Sequence, residues 1–417
     1  MSRNSPSSGR GRRCFLKAAL LTAVGVSGAV LAHARRPFLV NPCLDPAGMS
    51  LDQSPWLARL WQGLDPTKVW DCHVHLTGVG DSDHGLYLGK KLESLWHPVL
   101  YSQRMFYTNA GCASGKSGTI DENYVRRLAS LIRNMPTGVK AMLFSFDWFH
   151  DDVGRPVPES STFYVPDNYA RQMAKEHPDV FEWVASIHPY RPDAVDRLEA
   201  AAAQGARAIK WLPAAQNIDP ASKRCDAFFA ALVRLRLPLV IHCGEEKAVQ
   251  SVRLIPFGNP LRLRRALDAG VRVVVAHCAS IGEEEDLDRP GTRKRSFDLF
   301  ARLMERPEWK ENLFGDISAV VLRNRKHEVL KTLLAREDWH GRLLNGSDYP
   351  LPGVLPLISL SQLARHGLLP EESVADLRAL RLSNSLYFDL ALKRSLNWQG
   401  KSFPARVFET RAFFEAV

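Results

Sequence analysis

One feature constrains this chain more than any other: from about residue 66 onward, short β-branched or aromatic runs alternate with longer stretches of helical periodicity. Eight runs read as strands, at 68–76, 139–149, 181–189, 206–212, 237–243, 272–278, 312–318 and 342–347. Helical patterns such as 192–204, 221–236, 259–269 and 295–305 lie between them. Gly205 and Gly270 each follow a helical pattern and precede a strand, where a left-handed residue lets the chain turn back. Strands joined by crossover helices pair in parallel and are covered on both faces, so they read as unbroken apolar runs such as Val273-Val274-Val275-Ala276. Eight units in series predict an α/β fold, a (β/α)8 TIM barrel. A doubly wound open sheet competes, but no Gly-x-Gly-x-x-Gly and no complete Gly-x-x-x-x-Gly-Lys-Ser/Thr follows a strand.

Two departures from a minimal barrel stand out. The connection between the first two strands, 77–137, is a long β1-α1 insertion, expected to form a lid or pocket wall. The chain beyond Pro350 is a C-terminal helical extension (376–380, 386–393), expected to close the outside of the barrel. The predicted organisation is a targeting segment over 1–34, a segment without clear fold signal over 35–66, the barrel over 67–393 and a tail over 394–417.

The targeting segment rests on Arg12-Arg13-Cys14-Phe15-Leu16-Lys17, an uncharged apolar run over 18–32, and the small-x-small pattern Ala32-His33-Ala34. The run is short for a membrane span but suits a signal sequence. The pattern resembles a twin-arginine export signal, which implies the export machinery as a partner and a periplasmic or otherwise exported mature chain. An uncleaved N-terminal anchor is the alternative. No later apolar stretch approaches eighteen residues, so no stable membrane span is expected in the mature chain. Five basic residues of a net charge of +10 precede residue 35, and no basic stripe follows, so nucleic acid is not an expected partner. Among the cysteines, Cys43 and Cys112 lie in loop-like sequence and are the candidate disulfide. Cys72, Cys225, Cys243 and Cys278 read as small buried hydrophobes.

Chemistry collects at the predicted strand ends. In Asp71-Cys72-His73-Val74-His75, histidines two apart on a strand point to one side, into the barrel mouth. Such a pair suits a divalent transition metal, zinc above all. His242 ends strand 5 and His277 ends strand 6, each in an apolar run where an unsatisfied imidazole is costly. Asp348, in Ser347-Asp348-Tyr349-Pro350, follows strand 8, which a closed ring places beside strand 1. A carboxylate there is placed to bind metal and to accept a proton from the attacking water.

This set, with Ile209-Lys210-Trp211-Leu212-Pro213 and Asn384 in Leu382-Ser383-Asn384-Ser385-Leu386-Tyr387, resembles the amidohydrolase superfamily across roughly residues 66–393. The wording of the motifs is most similar to its amidohydrolase-related branch of metal-dependent hydrolases. The resemblance implies a small-molecule hydrolase with one or two divalent ions held by His73, His75, His242, His277 and Asp348, although the branch also contains decarboxylases and hydratases. In two-metal members a strand-4 lysine is carbamylated and bridges the ions, and Lys210 stands at that point. Binding of a substrate carboxylate or of a supporting Asp is the alternative for Lys210.

Weaker candidates are His188, which either meets substrate or holds a turn, and Asp316, structural or catalytic. Either Glu245 or Glu246 is expected to orient a ligand imidazole, with Glu245 the candidate. The acidic run 283–286 reads as solvated surface, and Trp148 and Phe149 as core or pocket wall. The expected reaction is hydrolysis of a C–N or C–O bond by metal-activated water, with Asp348 as general base and His277 either binding the metal or steadying the oxyanion or the water. A metal-dependent decarboxylase acting on an aromatic or unsaturated acid is the alternative. An exported ligand-binding protein without turnover is the third reading, and a proton acceptor facing the metal site argues against it.

Overall fold

Each of the eight apolar runs contains a strand: β1 (Trp70–His75), β2 (Lys140–Phe144), β3 (Phe181–Val184), β4 (Ile209–Trp211), β5 (Leu239–His242), β6 (Val273–Ala276), β7 (Leu313–Asp316) and β8 (Leu343–Leu344). The structure is a computed structural model, and it describes residues 39–46, 54–113, 118–246, 249 and 255–415. The candidate targeting segment over 1–34 lies outside the described residues. All neighbouring pairs are parallel, β1 to β3 in one set and β4 to β8 in the other. Single parallel bridges, Ala185 to Ile209 and Val74 to Tyr349, join the two sets at both edges and carry the ring round. The fold is the expected (β/α)8 barrel. Its strands are shorter than the sequence runs because the residues at their carboxyl ends leave the ladder for turns.

The helices include α1 (Pro98–Ala110), α2 (Ile120–Arg133), α3 (Asp167–Glu176), α4 (Ala194–Ala203), α5 (Asp226–Arg234), α6 (Arg264–Asp268), α7 (Ser296–Met304), α8 (His327–Ala335), α9 (Ser373–Ser383) and α10 (Ser385–Ser395). Local chemistry explains their limits. A reciprocal capping box between Thr119 and Glu122 starts α2, which buries Tyr124, Val125, Leu128 and Ile132 along one face. Gly205 and Gly270 take φ of 84° and 86° after α4 and α6, the left-handed stops that the sequence implies.

Two apolar layers result. One lies between the strands and the helices. The other fills the barrel, with Trp70, Cys72, Met142, Phe144, Val184, Ala208, Val240, Val274 and Leu344. Phe414 of the tail is fully buried in that inner layer, and the hydroxyl of nearby Thr410 donates to the Trp70 carbonyl at the start of β1. The C-terminal extension therefore does more than cover the outside: its last helix plugs the floor of the barrel. The β1–β2 pairing slips register between Asp71 and Val74, a bulge that turns His73 and His75 toward the interior that Trp70 and Cys72 also fill.

The insertion after β1 contributes α1 and α2 and a short strand, Tyr87–Leu88, paired with Phe163–Tyr164. A disulfide between Cys43 and Cys112, with Cα atoms 5.6 Å apart, pins the segment around Asn41 to the end of α1. The other four cysteines of the described residues are buried and unpaired. Within 35–66, where the sequence carries no fold signal, a short helix (Pro55–Leu60) buries Leu57 and Leu60, and the Trp61 indole donates to the Tyr387 hydroxyl at 2.6 Å. The acidic run is not plain solvated surface. Glu283–Glu285 pairs antiparallel with Arg293–Arg295, Glu284 is buried, and both terminal nitrogens of Arg302 clasp Asp286 at 2.7 Å. Among the described residues no helix is long and apolar enough to cross a membrane.

Candidate metal centre

The carboxyl ends of the strands open into a cavity of about 350 Å³, mostly apolar, with His73, His75, Lys210, His242, His277 and Asp348 at its base. Residues of the insertion after β1, Gln103, Arg104, Phe106 and Tyr107 among them, form one wall.

One carboxylate organises the base. Asp316 ends β7, and its Oδ2 lies 2.9 Å from His73 Nδ1. Its Oδ1 accepts from the His277 backbone N–H at 2.9 Å, from the Ser318 N–H at 3.0 Å and from the Ser318 hydroxyl. Because that hydroxyl gives its proton to Asp316, its oxygen accepts from His277 Nδ1, 2.7 Å away, and the Ser318 carbonyl at 3.2 Å supports the same tautomer. His73 and His277 thus carry their protons on Nδ1 and turn bare Nε2 atoms toward the cavity.

Those lone pairs face the acceptors of Asp348, and His73 Nε2 also meets the Lys210 ammonium. Asp348 Oδ1 lies 3.1 Å from His75 Nε2 and 3.4 Å from His73 Nε2, and its Oδ2 lies 3.7 Å from His277 Nε2. His73 Nε2 and His75 Nε2 are 3.3 Å apart. Burial raises the Asp348 carboxyl, while the charge that His277, His73 and His75 carry when protonated, with the hydrogen bond to His75, draws it well below the usual carboxylate range. Burial, with the charge of Lys210 second, pushes His73 down to about 4, and burial pushes His277 down as well. Neutral imidazoles around an ionised carboxylate are a metal-ligand set in its binding protonation state. Donor atoms of His73, His75 and Asp348 lie within 4.8 Å of one another, and the residues fit a divalent cation.

The remaining sequence candidates divide. Lys210 is brought in: its Nζ sits 3.4 Å from His73 Nε2, its side chain is buried, and burial lowers its pKa against the opposing pull of Asp316 and Asp348. His242 lines the same cavity but falls outside the close donor cluster, with its ring 5.4 Å from that of His277. Its Nε2 is buried without a hydrogen-bond partner among the described residues. The acid beside His242 Nδ1 is Glu246, at 3.4 Å, whereas the sequence reading settled on Glu245; both line the cavity. His188 is not brought to the site. It is fully buried away from the cavity, with Nε2 2.8 Å from the Gln216 carbonyl and Nδ1 accepting from the Tyr190 N–H, so it holds the turn after β3. Trp148 stacks on Tyr164 with centroids 4.0 Å apart and does not line the cavity.

Two residues carry no sequence signal. Ser318 reads as an ordinary turn serine until Asp316 and His277 are placed around it. Arg325 sits in Arg323-Asn324-Arg325-Lys326, a run indistinguishable from solvated surface. Backbone strain does mark the site: His277, Cys278 and Ala279 take φ of 54°, 50° and 49°, Ala319 takes 52° and Asp348 takes 59°. Each left-handed non-glycine residue costs roughly 1–2 kcal/mol, and such residues gather at functional sites.

The chain matches none of the curated proteins. Solved structures similar to it include an uncharacterised TIM-barrel protein from Bordetella bronchiseptica, at 15% identity, covering 78% of this chain and 99% of that one, with a TM-score of 0.46. A putative 2-pyrone-4,6-dicarboxylic acid hydrolase from Pseudomonas putida is 16% identical, covering 83% and 97%, with a TM-score of 0.41. The 5-carboxyvanillate decarboxylase of Novosphingobium aromaticivorans, complexed with manganese, is 12% identical, covering 83% and 96%, with a TM-score of 0.46. The amidohydrolase family model matches residues 70–378, most of the barrel and every residue at its base, and the chain belongs to that family.

Proposed function

We propose that this protein is a metal-dependent hydrolase that cleaves a C–N or C–O bond of a small molecule in the cavity above His73, His75 and Asp348. The observation that carries the reading is the cage of acceptors around Asp348: His73 Nε2 at 3.4 Å and His277 Nε2 at 3.7 Å have no proton to offer it. His73, His75 and Asp348 would hold a divalent ion, taken as zinc, which would supply Lewis acidity and lower the pKa of water from about 15.7 to about 7. Asp348, kept ionised, accepts the proton of the attacking water and returns it to the leaving group. His277, with a bare Nε2, serves as an acceptor that orients this water, not as the N–H donor that an oxyanion would need. Leu88, Leu92, Phe106 and Tyr107 of the β1 insertion add apolar surface to the cavity wall beside the polar Gln103 and Arg104.

A decarboxylase acting on an aromatic or unsaturated acid is the second reading, favoured by the half-buried guanidinium of Arg325 on the same cavity. One experiment separates them: metal-loaded protein is offered amides, esters and lactones in one panel and unsaturated or aromatic acids in another, with hydrolysis and carbon dioxide release measured. Carbon dioxide release without hydrolysis sinks the first reading. Turnover in neither panel, with stoichiometric metal, returns the protein to a binding role. We further propose export through the twin-arginine route; fractionation of cells carrying Arg12→Lys with Arg13→Lys should leave the chain in the cytoplasm, and an unshifted distribution refutes it.

A further inference from the structure

Arg325, on the loop between β7 and α8, lines the cavity with its Nε and Nη1 sealed from solvent and without a hydrogen-bond partner among the described residues. A guanidinium stays protonated in a protein, so this is a permanent cation with idle donors. The contrast with Arg381 is instructive. That buried arginine donates to four backbone carbonyls, of Pro352, Val354, Leu355 and Ile358. At Arg325, by contrast, two of the three guanidinium nitrogens are sealed and unpartnered. The acids whose charge reaches it are Asp348, Glu246, Glu245 and Asp316. Asp348, Asp316 and Glu246 are turned toward histidines.

We propose that Arg325 receives a carboxylate of the substrate, so that the cavity takes a monoanionic carboxylic acid with an apolar body. A planar fork of donors matches a carboxylate in two-point contact. The acids on the same wall disfavour the second charge of a phosphate monoester. The apolar part of the lining, Leu76, Phe146, Phe163, Leu322, Val354 and Leu357, suits an aryl or branched hydrocarbon, and Arg104 and Lys210 are further cations on the same cavity. The proposal rests on the reading of this cavity as the substrate site, and it holds for either reaction above.

The test uses the full chain stripped of metal, so that no ion can bind the acid in place of Arg325, and reads binding by calorimetric titration with biphenyl-4-carboxylate and biphenyl-4-carboxamide. The acid should bind roughly ten- to a hundredfold more tightly than the amide. Arg325→Met should bring the acid down to the amide's affinity and leave the amide unchanged, while Arg325→Lys keeps part of the difference. If Arg325→Met does not fold, Arg325→Gln reads the same difference. Equal affinity of acid and amide, absence of binding by the acid, or an unchanged preference in the variants overturns the proposal. Turnover by the metal-loaded protein is measured separately, so failure of the hydrolase reading is seen independently.

Discussion

Replacing Asp316 with Asn tests the logic of the site most directly, because the substitution keeps size and shape and changes only what the side chain can accept. The native carboxylate is surrounded by donors: His73 Nδ1–H, the backbone N–H groups of His277 and Ser318, and the Ser318 hydroxyl. An amide offers one oxygen and an NH2 in their place. If the NH2 meets His73, Nδ1 becomes the acceptor and the proton moves to Nε2, the atom facing His75 and Asp348. An imidazole protonated there has no lone pair for a cation. Loss of such an orienting partner typically lowers metal affinity by about 10- to 100-fold, which is about 1.4–2.7 kcal/mol. Folding stability should fall too, by about 2–3 kcal/mol, as charge-assisted bonds become neutral ones. Zinc affinity is measured by competition with a chromophoric chelator at fixed pH, and stability by thermal and urea denaturation of the metal-free protein. A folded Asp316→Asn protein that binds zinc as tightly as the wild type would refute the claim that Asp316 sets the tautomer of His73.

Three further outcomes follow from the same geometry. Asp348→Asn should lower turnover by about 10²- to 10⁴-fold, the range for a lost general base, and should weaken zinc binding because Oδ1 lies beside both His73 and His75; wild-type turnover in steady-state kinetics removes Asp348 from the mechanism. In metal-free protein, His73 has its pKa depressed to about 4 against roughly 6.5 when unfolded. The unfolded chain therefore binds more protons in that window, and stability falls as pH drops from about 6.5 through 4, by at most about 3 kcal/mol; melts across this range should lose that slope in His73→Asn. Lys393→Met strips the partner from buried Asp389 and should cost about 3–5 kcal/mol, with much of it regained in Lys393→Met combined with Asp389→Leu; additive urea denaturation energies would sink the pairing.

The eight strands were legible because parallel strands buried on both faces leave unbroken apolar runs, and β6 is the plainest case. The histidines were legible for the complementary reason, since polar groups that end such runs need partners. What escaped the sequence depends on distances that periodicity does not encode. Glu245 and Glu246 are adjacent in the chain, and only the turn after His242 decides which one reaches the ring. His188 ends a strand just as His242 does, yet the fold seats it against the Gln216 carbonyl, outside the cavity. Asn384, part of the motif that carries the family resemblance, turns out to cap α10 and to donate to the Leu131 carbonyl. A residue quoted for a functional likeness can thus be structural in its contacts.

Strand β8 shows how the parts outside the close donor cluster control it. Its ladder is only Leu343–Leu344, too short to fix Asp348, which sits beyond it in a left-handed conformation. Other connections do that work. The Asp348 N–H donates to the His73 carbonyl at 2.8 Å, the Ser347 N–H donates to Asp71 Oδ1 at 2.8 Å, and the His75 N–H donates to the Tyr349 carbonyl at 3.0 Å, so the turn is tied to β1 on both sides of Asp348. From outside the barrel, Lys393 of α10 reaches the Gly346 carbonyl at 2.5 Å while paired with Asp389. The carboxylate is therefore aligned by the strand that carries its histidine partners and braced by a helix beyond residue 378, where the family match ends. Moving β1 moves His73, His75 and Asp348 together, so their mutual distances survive breathing of the barrel better than ladder contacts through β8 alone would allow.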